Sequence, residues 1–193
     1  ATGQGVSVYV LDTGIRTSHQ DFGGRASTYR DYVNDGLNGA DCWRYTDPNT
    51  GQLVDTDGHG TPVASVVAGN TFGVAKNARI YNVRVADCQG MVTTTRVVSA
   101  INDIVASKSG PTVVNMSFGH FGGVFSALET AITNAANAGV VFVAAAGNEN
   151  TSTCSYTPTR MSQVITVGVT GSDDTRASYS NYGSCVIMAP GHY

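Results

Sequence analysis

Val6-Ser7-Val8-Tyr9-Val10-Leu11 runs without a break into Asp12-Thr13-Gly14. A short run of β-branched and aromatic residues bounded by Gly and Asp predicts a buried strand. Similar apolar runs recur at 79–85, 112–116, 140–145 and 164–169. Between them lie helical patterns. Residues 61–69 are small and apolar, with Pro62 in a first turn where its missing N–H costs nothing. Residues 93–107 place Val97, Val98, Ile101, Ile104 and Val105 at helical spacing, and 124–138 end at Gly139, a fitting C-terminal stop. Strands alternating with helices predict an α/β fold, a mainly parallel sheet with helices on both faces. The near-continuous apolarity of the strands agrees with burial on both sides. Residues 20–58, rich in Asp, Asn and Gly, are expected to be mostly loop.

The bulk numbers narrow the field further. The chain has 193 residues, 41% of them hydrophobic and 13% charged, which suits one folded domain and argues against disorder. A net charge of −3 argues against nucleic acid or an acidic membrane as main partner. No run of 18 apolar residues is present, so no membrane span is expected. The four cysteines, Cys42, Cys88, Cys154 and Cys185, contain no Cys-x-x-Cys, which disfavours a zinc site. An even number of scattered cysteines predicts two disulfides and an oxidising compartment, and spacing leaves all three pairings open.

In parallel α/β sheets ligands gather beyond the carboxyl ends of the strands. Three segments there carry chemistry. Asp12 ends the first strand; Asp-Thr-Gly alone also suits an aspartic protease, but that enzyme needs a second such carboxylate, and none follows. Asp57-Gly58-His59-Gly60-Thr61 opens a helix, and glycines beside a His leave its ring accessible and let another backbone come close. Ala144-Ala145-Ala146-Gly147-Asn148 follows a strand, with small residues making room and an Asn able to aim an amide N–H at a developing oxyanion. His19 and His120 read as structural or exposed loop residues, and His192 carries no signal. No Gly-x-Gly-x-x-Gly follows the first strand, so a nucleotide-binding domain is disfavoured.

Taken together these segments resemble the subtilisin-like serine proteases, most closely the secreted proteinase K and aqualysin branch. The likeness rests on residues 5–15, Gly58-His59-Gly60-Thr61, residues 81–85, Val114-Asn115-Met116-Ser117-Phe118-Gly119, Ala144 to Asn148, residues 155–160, 165–168 and 178–183, and Ala189-Pro190-Gly191, in the family's order. The resemblance implies a subtilisin-like fold in one peptidase domain over residues 1–193, secreted and monomeric, made with a propeptide and acting on peptides bound as an extended strand. It implies that Asp12 orients His59, that His59 is the general base, and that Asn148 serves the oxyanion hole. Gly90, Met91 and Val92 would form one substrate-pairing edge and Ser117, Phe118 and Gly119 the other, with Ala144, Ala145, Ala146 and Gly147 walling the first specificity pocket. It also implies the pairings Cys42–Cys88 and Cys154–Cys185.

The chain departs from the family in four places. The family's nucleophile motif, Gly-Thr-Ser, is absent, so the C-terminal part of the domain is expected to lie beyond Tyr193 and residues 1–193 to be inactive; a peptide-binding pseudoprotease is the other reading. One apolar face of the sheet should then be partly uncovered. Pro62 stands where many members have a second His, and the segment from Cys42 to Gly58, with Trp43-Arg44-Tyr45, is longer than in aqualysin-like relatives. The Asp that often precedes Ala-Pro-Gly and ligates calcium is missing. No cofactor is required for the chemistry; a structural calcium would have to draw on Asp31, Asp35, Asp41, Asp47, Asp55 or Asp57.

Overall fold

The computed structural model describes residues 2–46, 49–55, 58–119 and 122–191. His120, His192, Asp47, Asp57 and Tyr193, named above, lie outside them. The architecture is α/β, built on a mainly parallel sheet of seven strands. The chain forms two compact units, divided after Val113.

In the first unit, β5 (Arg79–Arg84) lies between β2 (Ala26–Asp31) and β1 (Ser7–Asp12) on a parallel ladder. Alternate residues of β1 face opposite sides. Val8 and Val10, with Ile80 of β5, pack on Ala64 and Ala68 of α1 (Gly60–Ala68). Tyr9 faces the other way, stacked on Tyr81 at 4.7 Å and edge-on to Tyr29 of β2 at 5.3 Å. The Tyr29 hydroxyl bonds Ser107 in α2 (Thr94–Ser107), so each face of this ladder meets a helix. Thr93 caps α2 by accepting from the Arg96 amide, as its place before the periodic run suggests. Residues 20–58 are less irregular than their composition implies. They contain a short 3-10 turn (Gln20–Phe22), β2, and an antiparallel hairpin of β3 (Arg44–Thr46) and β4 (Leu53–Asp55).

β6 (Thr112–Met116) spans the division between the units. In the second unit β7 (Val140–Ala145), β8 (Val164–Thr170) and β9 (Val186–Pro190) pair in parallel. α3 (Ser126–Asn137) packs on β7 through the face that buries Leu128, Ala131, Ile132 and Ala135. Phe142 is fully buried, whereas the residues alternating with it stand open. Val141, Ile165 and Ile187 are 47%, 44% and 57% exposed, and the register Val143 to Ile165 and Val167 to Ile187 places them on one face. This is the uncovered apolar face that the sequence leads one to expect.

Both implied disulfides form, Cys42–Cys88 in the first unit and Cys154–Cys185 in the second. They close loops of 46 and 31 residues. No described helix is long and apolar enough to cross a membrane.

Candidate active site

Asp12 is the last residue of β1, and its carboxylate is buried. Oδ1 accepts from the Thr13 amide and meets Nδ1 of His59, each at 2.7 Å. Oδ2 is buried with no partner among the described residues. His59 is the N-cap of α1, and its ring is half-exposed. Its pKa is raised, chiefly by the hydrogen bond it donates to Asp12, against burial that pulls it down. A raised histidine pKa stabilises the fold most below the unfolded value near 6.5, and that contribution fades as the pH rises through the folded value.

The glycines around His59 act as the sequence suggests. A Cβ on Gly60 would overlap the carbonyl oxygen of Gly14 and come 3.1 Å from the Cβ of Asp12. The start of α1 thus sits directly against the turn that follows β1, and this close approach brings His59 to Asp12. Both clashing partners of Gly60 are backbone or near it and cannot swing away. Gly60→Ala should therefore cost about 3 kcal/mol or more, a fall in Tm of about 6 °C or more, and should shift the His59 titration seen by NMR. A variant with unchanged Tm and titration would show that the approach is not needed.

Arg84, at the end of β5, is fully buried beside this turn. Its Nε donates to the Thr13 carbonyl at 2.8 Å, and its other nitrogens pair with Asp31 at 3.1 Å and Asp35 at 2.6 and 2.7 Å. Asp41 is also buried and accepts from Thr13, Cys42, His59 and Thr61. Arg84 drew no attention in the sequence, and Asp41 did so only as a candidate calcium ligand. Three of the carboxylates considered for calcium are thereby spent on protein donors, and among the described residues no cluster of three metal-ligating side chains forms. Trp43, 57% exposed, lines a cavity of about 460 Å³ with Asp41, Thr61 and Pro62. His19 caps the 3-10 turn through Nδ1, a structural use.

Gly90, Met91 and Val92 occupy a tight turn in the first unit. Ala86 bridges Val92, the Asp87 carboxylate accepts from the Gln89 and Met91 amides, and Gly90 takes a φ of +77°. Met91 is exposed.

In the second unit Gly119 lies against Gly147: a Cβ on Gly119 would stand 3.1 Å from the Gly147 Cα. The segments Ser117 to Gly119 and Ala144 to Gly147 are thus brought together. Ser117, Ala144 and Ala145 help line a cavity of about 260 Å³ at the carboxyl ends of β7 and β8. Asn148 is exposed in the bend after β7. Buried Asn181 holds that bend, accepting from the Glu149 and Thr151 amides and donating to the Ala146 carbonyl and the Glu149 carboxylate. Its place within the motif at 178–183 is the only sequence signal that could have pointed to it.

A buried strand-end aspartate on a helix-borne histidine, in a mainly parallel α/β sheet, is the arrangement of a subtilisin-like protein. The chain belongs to the subtilase family, whose model matches residues 3–193. It is 45% identical over 192 residues to an extracellular serine proteinase of Thermus sp. (strain Rt41A), covering 99% of this chain and 43% of that protein. It is 42% identical over 190 residues to alkaline serine exoprotease A of Vibrio alginolyticus, covering 98% of this chain and 33% of that protein. The crystal structure of a cold adapted subtilisin-like serine proteinase superposes with a TM-score of 0.85 at 42% identity, over 98% of this chain and 64% of that one. The chain thus spans less than half the length of these two relatives.

Proposed function

We propose that this chain is the larger part of a secreted serine endopeptidase domain that cleaves peptide bonds through an acyl-enzyme. The observation that carries the reading is the 2.7 Å contact between His59 Nδ1 and Asp12 Oδ1 at the end of β1. A carboxylate on Nδ1 fixes the tautomer in which Nε2 accepts a proton, and it stabilises the imidazolium that results. Nε2 has no partner among the described residues. His59 is then the general base, Asp12 its orienting carboxylate, and Asn148 an oxyanion donor. The nucleophilic serine comes from sequence beyond Tyr193, in keeping with the greater length of the relatives. An extended substrate pairs with Gly90 to Val92 on one edge and Ser117 to Gly119 on the other. The protein is made with a propeptide and works as a monomer. The reaction draws on no cofactor, and a calcium ion, if bound, has a structural role only.

The test is made on the native secreted protein. Its casein hydrolysis should be abolished by phenylmethylsulfonyl fluoride, with the sulfonyl group found on a serine outside residues 1–193 and an intact mass above 20.0 kDa. A native protein of 20.0 kDa that neither hydrolyses casein nor takes the label would overturn the reading in favour of a peptide-binding remnant.

A further inference from the structure

A helix begins with amide groups that lack intrahelical partners, and the N-cap side chain usually supplies one. In α1 the N-cap is His59, whose side chain makes no capping bond because its Nδ1 is engaged by Asp12. The amides are met from elsewhere. Thr61 N–H donates to Asp41 Oδ2 at 2.8 Å, and His59 N–H to Asp41 Oδ1 at 3.4 Å and to Thr13 Oγ1 at 3.3 Å. Gly60 N–H donates to Thr13 Oγ1 at 3.1 Å, and that hydroxyl donates in turn to Asp41 Oδ1 at 2.7 Å. Cys42 N–H adds a further bond to Oδ1 at 2.8 Å. Asp41 is 4% exposed, and Gly58, at a φ of +63°, admits it: a Cβ there would stand 2.9 Å from Oδ2.

We propose that Asp41 is the positioning residue of His59, capping α1 in place of the imidazole and so holding that ring on Asp12. The inference rests on the proposed role of His59 as general base. A general base at a helix N-terminus carries two handicaps. Its ring cannot also cap, and the positive end of the helix disfavours its protonated form. A buried carboxylate bonded to the first amides of the helix removes both. The charge of Asp41 adds to that of Asp12 in raising the His59 pKa, after the Asp12 hydrogen bond and against burial. The other charged or titratable groups around Asp41 are Arg16 and His19, which share its cavity, and Arg84, which holds the Thr13 carbonyl.

The experiment is an NMR titration of the imidazole nitrogens in the 193-residue chain, with the His59 signals assigned through His59→Gln. Asp41→Asn keeps the shape and two of the acceptor sites but removes the charge. It should lower the His59 midpoint by about 0.5 in pH and reduce the population carrying the proton on Nδ1. Thr13→Val, which deletes only the relay hydroxyl, should reduce that population while moving the midpoint less, and it serves if Asp41→Asn does not fold. A lower Tm with midpoint and tautomer as in the parent, in whichever variant folds, would reduce Asp41 to a helix cap and overturn the proposal. Asp12→Asn separates the two readings: if it too leaves His59 unchanged, the Asp12–His59 pair itself is refuted and the proposal falls with it.

Discussion

A polypeptide of residues 1–193 should release product from an activated ester without a burst and far more slowly than an intact enzyme of the family. An acyl-enzyme requires a nucleophile that His59 can deprotonate, and the family's Gly-Thr-Ser occurs nowhere in the chain. Ser117, in a stretch like Gly-x-Ser-x-Gly without its first Gly, accepts from the Asn115 side-chain amide at 2.7 Å and lies in the segment assigned to substrate pairing. The loss on removing the nucleophile is about 10⁶-fold in kcat, a figure taken from subtilisin itself, a member of this family. What remains is whatever orientation and the oxyanion donor supply. Stopped-flow measurement with a p-nitrophenyl ester decides the matter, because a stoichiometric burst would demand a second nucleophile within the 193 residues.

Arg84→Met should destabilise the first unit by about 3 kcal/mol. Removing one partner from a buried ion pair typically costs about 3–5 kcal/mol, because the other is left desolvated. The lower end applies here, since Asp35 is 37% exposed and recovers water, whereas Asp31, at 11%, does not. The cost should depend on pH with a definite sign. The hydrogen bond from Arg84 leads the causes that hold the Asp35 pKa below the ordinary carboxylate range. A depressed pKa contributes stability above the unfolded value near 3.9, and this is lost as the pH falls through the folded value. Urea unfolding of parent and variant should therefore converge as the pH drops below about 4. An equal difference at pH 3 and pH 7 would show that Arg84 acts through packing alone.

The strands that were legible in the sequence are those that carry an unbroken apolar, β-branched run, whether both faces are covered or, as in β7 and β8, only one. β6 and β7 fall on the expected residues, and β1 is displaced by one. β2 escaped because it is an edge strand whose side chains are mostly exposed or half-exposed, so Ala-Ser-Thr-Tyr-Arg-Asp reads as loop. β9, the other edge strand, was not read either, although its Val186-Ile187-Met188-Ala189 run is apolar. Asp12 and His59 could be picked out because a strand end and a glycine pair mark them locally. Asp41 and Arg84 could not. Their roles arise chiefly from hydrogen bonds to residues 18 to 71 positions away, which neither the loop around Asp41 nor the strand around Arg84 announces locally.

The open face of β7, β8 and β9 also governs how the polypeptide behaves in bulk solution. Contiguous apolar surface drives molecules together, and at pH 7 only a net charge of −3 opposes that in a chain with an isoelectric point near 5.7. Repulsion vanishes in the same interval where histidine imidazoles take up their protons. Solubility is therefore lowest near the isoelectric point, on the acid side of the range in which His59, with its raised pKa, takes up its proton, and titrations are best run dilute and approached from the alkaline side.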